Sequence, residues 1–278
     1  MNPSVRLLAW TPNPVRVMAL SARLCYTQGC TIAQVDKNLS DAQCEALLGK
    51  VLASRHMSVL EHAVFTFGVE GVSRNFSHQM VRHRNTSYSQ QSLHYTMAGD
   101  DLEVAMPAGL TDSQKARWHE VKAIAFMTYK DLVAEGVQKE EARHLLPSGV
   151  ETKLVMTGNL RQWLHFTELR TCQVNCREIL VVAMKVKRLL EEAVPAVKQL
   201  LGPTCWTDGF CREGKKFCEA PWRDTCMVSG MGVAEPYIWG RARKKACGGA
   251  CSITDARCDG DCSGAVVGKE QETRHGPC

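Results

Sequence analysis

The feature that most constrains this chain is a break in its character near residue 223. Before it, apolar residues recur at helical and strand spacings; after it, segment 223–278 is rich in Gly, Cys and charge, with bulky apolar residues scattered singly. A segment of that kind cannot bury a core of its own. The sequence therefore predicts one main domain over residues 1–222 and a Cys/Gly-rich C-terminal tail over 223–278, disordered or organised by metal. Cysteine usage shifts somewhat earlier: of 14 cysteines, five lie in the first 200 residues and nine between Cys205 and Cys278.

Within the main domain, Ser40 and Gln43 form a capping-box pattern ahead of Cys44, Leu47, Leu48, Val51 and Leu52 at helical spacing. Thr111 and Gln114 repeat the signal ahead of a second helix that Gly136 should stop. Val64 to Val69 is apolar, β-rich and bounded by glycine, so it reads as a strand, and 150–155 as another. Short helical signals run over Glu140–Leu146 and 159–170, and a long one over 175–193 that Pro195 kinks or ends. Helices and strands alternate without a regular βαβ repeat, which predicts an α+β fold with a mixed or antiparallel sheet packed with helices. No run of about 18 apolar residues occurs, so no membrane span is expected. The N-terminus lacks the basic-then-apolar order of a signal peptide, giving a cytoplasmic expectation. A formal charge of +5 suits anionic small ligands and decides nothing alone.

The chemistry concentrates in Gln79 to Tyr95, which packs Arg82, His83, Arg84 and His94 beside hydroxyls and amides. Such a segment reads as a poor core and a poor amphipathic helix. It offers fixed cations and hydrogen-bonding groups, as a diphosphate or nucleotide site requires. The plain alternative is a basic surface loop. Spacing weighs against that alternative. Arg82-His83-Arg84, seven residues, then Ser92 resembles the signature of the flavin-dependent thymidylate synthases. His56 to His62 is similar to that family's His-x-Ser/Thr-x-x-Glu-His element. Ala142-Arg143 to Pro147 is similar to its Ala-Arg-x-x-Leu-Pro element, and Asn159-Leu160-Arg161, His165 and Glu168 to Arg170 follow a further block. The resemblance runs from about Leu7 to Leu201.

It implies a reaction and a set of roles. The reaction is FAD- and NADPH-dependent methylation of dUMP at carbon 5 to give dTMP, with methylenetetrahydrofolate as one-carbon donor. Ser58, Glu61, Arg82, His83, Arg84, Asn159, Leu160, Arg161 and His165 would lie along FAD. Gln79, Arg82, Gln90, Gln91, Ser92, Leu93, His94, Arg143 and Arg170 would surround dUMP, in pockets shared between subunits of a homotetramer. Carbon 5 of uracil is a weak nucleophile, activated by a thiolate at carbon 6 or by stabilising the ring's anionic form. The matched segments put no cysteine at the base and put Arg170 there as the catalytic residue. A permanent guanidinium charge could lower the barrier by on the order of 3 kcal/mol. Ser92 is read as substrate-orienting, and His83 as a hydrogen-bonding group and no general base. His56, His62, His78 and His144 have structural readings, and only His56 is lifted above that by its motif.

Three departures bear on these roles. His94 stands where the family usually carries a phosphate-contacting arginine, Gln90 where it often carries Glu, and Asn175-Cys176-Arg177 ahead of Glu178-Ile179 where it commonly reads Ala-Gln-Trp. The last should alter packing of the pocket wall. The first two motivate an alternative acceptor such as UMP. A reading from another class is a nucleotide- or nucleic-acid-binding protein with a zinc tail and no turnover. Cys247, Cys251, Cys258 and Cys262 could ligate zinc, but no Cys-x-x-Cys knuckle supports it, so no metal site is assigned and no nucleic-acid partner is expected.

Overall fold

A computed structural model describes residues 3–94, 103–107 and 109–207. The expected Cys-rich tail, with its candidate zinc cysteines, lies outside the described residues.

Strand β1 (Ser4–Trp10) is followed by three helices: α1 (Pro14–Leu24), α2 (Ile32–Asn38) and α3 (Asp41–Ala53). A 3-10 turn over Met57–His62 leads into β2 (Val64–Ser73), α4 (Arg74–Met80) and β3 (Thr86–Gln90). Next come α5 (Asp112–Ala134), α6 (Lys139–Ala142), a 3-10 turn over Arg143–Leu145 and β4 (Glu151–Asn159). Helices α7 (Leu160–Arg170) and α8 (Arg177–Ala193), a 3-10 turn over Pro195–Leu200 and α9 (Thr204–Thr207) complete it. The four strands form one sheet in the order β1-β2-β4-β3, with every pairing antiparallel. The α+β expectation holds, and the sheet is antiparallel. No described helix is long and apolar enough to cross a membrane.

Alternation along the strands sets the two faces of the sheet. Phe65, Phe67 and Val69 of β2 and Leu154 and Met156 of β4 point inward and are buried. They pack against Leu160, Trp163, Leu164 and Phe166 of α7, and Ile179, Val182, Ala183, Val186 and Leu190 of α8. Trp163 is fully buried, edge-on to Phe67 with centroids 4.9 Å apart. Its indole N–H donates to the carbonyls of Phe65 (3.2 Å) and Gly158 (3.0 Å). A Cβ at Gly158 would come within 3.4 Å of the Trp163 ring and 3.2 Å of Thr86 Oγ1, so this close approach favours glycine there. A second, smaller cluster gathers Leu93, Phe126, Tyr129, Ala142 and Val150.

Both expected capping boxes form, with Gln43 and Gln114 each returning to its cap residue. Gly136, at φ 96°, follows the end of α5. Three boundaries differ from the sequence reading. β2 and β4 run on to Ser73 and Asn159, and α8 begins at Arg177, not near Asn175. Asn175 is outside the helix because its side chain is taken up by the α7–α8 turn: its amide donates to the carbonyls of Leu169 and Cys172. The Gln79–Tyr95 stretch also differs. It contains the end of α4 and all of β3, and it buries His83, Thr86 and Leu93.

Candidate active site

The turn between α4 and β3 is tied down from inside. Tyr88 on β3 donates its hydroxyl proton to the carbonyls of Met80 (2.6 Å) and His83 (3.1 Å). His83 is thereby held under the sheet's rim, 5% exposed, with its ring edge-on to Phe166 at 5.2 Å. Arg170, at the end of α7, donates its Nε–H to His83 Nε2 at 3.0 Å. That nitrogen must therefore be unprotonated. Burial, then the Arg170 charge, then His165 push the imidazole pKa down from 6.5 to about 4, so His83 is neutral near pH 7.

Arg170 has two more protein partners, Asn175 Oδ1 at 3.2 Å and the Gln79 carbonyl at 3.4 Å. A guanidinium has five N–H donors. Three are engaged here, which fixes its plane and leaves two unengaged among the described residues. Around it, Gln79 meets the exposed Cys176 thiol, 3.2 Å from its Nε2. Cys176 lies in the α7–α8 turn, where the sequence departs from the family pattern.

A cleft of about 920 Å³ opens beside this turn. Its wall brings together Glu61, Asn159, Arg161 and His165 with Arg55 and Asn85. Asn159 caps α7, accepting from the Gln162 N–H at 2.9 Å. Arg161 reaches back across the cleft to Glu61 at 2.6 Å. Ser58, Arg82 and Arg84 are exposed, but they, like the buried Leu160 and His83, are not part of this wall.

The residues expected around dUMP separate into two groups. Gln79 and Arg170 sit at the C-terminal end of α4. Gln90, the last residue of β3, the residues from Gln91 to His94 beyond it, and Arg143 sit nearer the N-terminal end of α4. There Gln90 donates to Thr152 Oγ1 at 3.1 Å, and Ser92 Oγ accepts from the His94 N–H at 3.1 Å. His94 Nδ1 lies 2.6 Å from Glu140, and Leu93 is buried in the smaller cluster. Arg143 donates its Nε–H to the Glu140 carbonyl at 3.0 Å.

This geometry can be set beside known proteins. Residues 6–196 match the family model described as thymidylate synthase complementing protein. The chain belongs to that family. It is 41% identical over 217 residues to a flavin-dependent thymidylate synthase of Geobacter sulfurreducens, covering 77% of this chain and 93% of that relative. Proteins of the same name from Thermococcus onnurineus and Clostridium tetani are 35% and 32% identical, over 80% and 78% of this chain and 94% of each relative.

For a thymidylate synthase complementing protein, several residues in or beside the site escaped the sequence reading. Asn175 holds Arg170, yet its only signal was a departure from pattern. Glu178 accepts from both the N–H and the hydroxyl of buried Ser73 at 2.6 Å, tying the start of α8 to the start of α4. Arg55, Asn85, Arg74 and Glu140 gave no local signal at all. Among the described residues, no group of three or more His, Cys, Asp or Glu could hold a metal ion.

Proposed function

We propose that this protein makes dTMP from dUMP by methylating carbon 5 of the uracil ring. FAD would be its cofactor, NADPH its reductant and methylenetetrahydrofolate its one-carbon donor. The observation that carries the reading is Arg170. It is a half-buried guanidinium held by three protein partners, with two N–H donors left to face adjacent atoms of a pyrimidine. Such a fixed charge stabilises the ring anion as it develops, with no reorganisation at the moment of reaction. His83 supports this role because it is neutral: as an acceptor it orients Arg170, whereas an imidazolium would repel it.

The cleft is suited to FAD. It lies near the upper end of the usual size range for ligand pockets, and Arg55, Arg161, Asn85, Asn159 and His165 supply donors for a diphosphate and polar ring edges. In this reading Arg161 exchanges its Glu61 partner for the cofactor. Bound flavin would carry the hydride and one-carbon chemistry, and the protein binds and orients. Arg82, Arg84 and Ser58 lie outside the cleft wall, so their roles at FAD need a second subunit, as in a homotetramer with shared pockets. The outer sheet face supports assembly, with an apolar strip of Leu8, Gly68 and Val155 edged by Arg6, Glu70 and Lys153.

The test is flavin uptake. Purified protein should be yellow or take up FAD, and Arg82→Ala combined with Arg161→Ala should weaken that uptake by at least about tenfold, the loss of two charge-assisted contacts. Unchanged FAD binding in the double variant would remove both residues from the site. A colourless, zinc-containing protein would favour the nucleotide-binding reading. Methylation of UMP is a second reading, favoured by Gln90, whose amide is taken up by Thr152 where a carboxylate is common.

A further inference from the structure

The chain runs on past every motif read in the sequence and returns to the cleft at Thr207, the last residue that the structure describes. After α8, the 3-10 turn over Pro195–Leu200 is pinned to the core by Val197 and Leu201, both fully buried. Gly202, at φ 153°, and Pro203 are buried behind it. They set up α9: the backbone N–H groups of Trp206 and Thr207 both donate to the Pro203 carbonyl, at 2.8 Å and 3.1 Å. The Trp206 side chain folds back over Gly202, where a Cβ would come within 3.3 Å of the indole Cγ. Its ring also meets Lys187 of α8, whose Nζ lies 5.5 Å from the centroid. The Lys187 side chain is 4% exposed, and its ammonium bonds Glu191 at 2.7 Å. A buried ammonium must be paired, and the face of an indole is a good partner for it. Trp206 thus ties α9 to the core helix.

Two residues of this stretch, Leu200 and Thr207, stand in the cleft wall with Glu61, Arg161 and His165. A four-residue helix has no stability of its own, and α9 fully buries none of its side chains. Its place at the cleft therefore depends on the Trp206 anchor. We propose that α9 is part of the cofactor site, with Trp206, held against Lys187 and Gly202, positioning Thr207 against bound FAD. This rests on the FAD reading of the cleft and adds to it an element with no motif of its own. It concerns the wall that one chain supplies and is compatible with pockets shared between subunits. Docking and binding are then linked: a cofactor that touches Thr207 stabilises α9 in place, and loosening α9 weakens the cofactor by the same factor.

The test measures FAD affinity and amide hydrogen exchange in full-length protein, stripped of flavin and then titrated with FAD. In wild type, saturating FAD should slow exchange of the Trp206 and Thr207 amides by about tenfold or more. Trp206→Ala should weaken FAD about tenfold, and Trp206→Phe, which keeps a ring face for Lys187, by less than about threefold. Thr207→Ala, which leaves the anchor intact, should weaken FAD about fivefold, as expected for one neutral hydrogen bond, without moving the unfolding midpoint of the flavin-free protein. It serves if Trp206→Ala does not fold. If the Trp206 and Thr207 amides exchange equally fast with and without bound FAD, the inference is overturned. Variants that bind FAD as wild type does, and only unfold at lower temperature, also overturn it, because Trp206 is then only packing for α8. Wild-type protein that takes up no FAD would overturn the reading of the cleft itself, and this inference with it.

Discussion

At the scale of single residues, the account rests on Arg170 and what holds it. A purely structural arginine here would bridge helices through Glu168 or Glu178. Those carboxylates face His165 and Ser73 instead, and the Arg170 partners are neutral. Arg170→Ala should therefore slow methyl transfer about 100-fold in a single turnover while flavin stays bound and reducible by NADPH. Arg170→Lys should recover little, because an ammonium cannot reproduce two parallel donors. Asn175→Ala, which only loosens the guanidinium, should cost about tenfold. Near-wild-type transfer in flavin-loaded Arg170→Ala would remove this residue from the chemistry and turn attention to Arg143 and Gln79. His83 adds a pH dependence. Its folded pKa of about 4 lies below the ordinary 6.5, so the unfolded chain takes up the proton first. Its contribution to stability is complete above pH 6.5 and is lost as pH falls from 6.5 through 4, on the order of 3 kcal/mol in all. Urea unfolding at pH 7 and pH 4.5 should show a smaller drop in His83→Gln than in wild type; equal drops would contradict the burial of a neutral imidazole.

At the scale of elements, capping made the long helices legible and polarity hid the short ones. Ser40/Gln43 and Thr111/Gln114 announced α3 and α5 because each box precedes a long helix. Thr31/Gln34 is an equally complete box, but it opens only a seven-residue helix with one buried side chain, so the signal had nothing to join. The edge strand β3 reads Thr-Ser-Tyr-Ser-Gln, with no apolar alternation, because its outer residues meet solvent and only Thr86 is buried. The cleft residues Glu61, Asn159, Arg161 and His165 were legible from motif spacing, since they lie on two short segments that the fold joins. Arg74, Glu140 and Asn175 were not, because tertiary contacts alone give them their positions. Glu178 belongs between these cases: it was noted as retained, and its job of bridging α8 to Ser73 needed the structure. Glu178→Ala should cost about 2 kcal/mol of unfolding free energy by leaving the Ser73 hydroxyl and N–H unsatisfied. An unchanged urea midpoint would show that this bridge does not hold α4 and α8 together.

At the scale of the molecule, one antiparallel sheet organises all the parts. Its inner face carries the core, and Trp163 locks α7 to β2 and β4. That fixes the end of α7, and with it Arg170, against the α4–β3 turn. The cleft lies at the Asn159 end of β4, and Arg74 lies near its Glu151 end. Neutral His83 orients the Arg170 guanidinium beside the α4–β3 turn. The measurement that tests this account most directly is a single turnover. Flavin-loaded protein, reduced with NADPH, is mixed with methylenetetrahydrofolate and either dUMP or UMP, and the nucleotide product is analysed. The account predicts dTMP from dUMP, in an amount limited by the reduced flavin, and no methylated product from UMP. Unmodified dUMP after full reoxidation of the flavin, or preferential methylation of UMP, would contradict it.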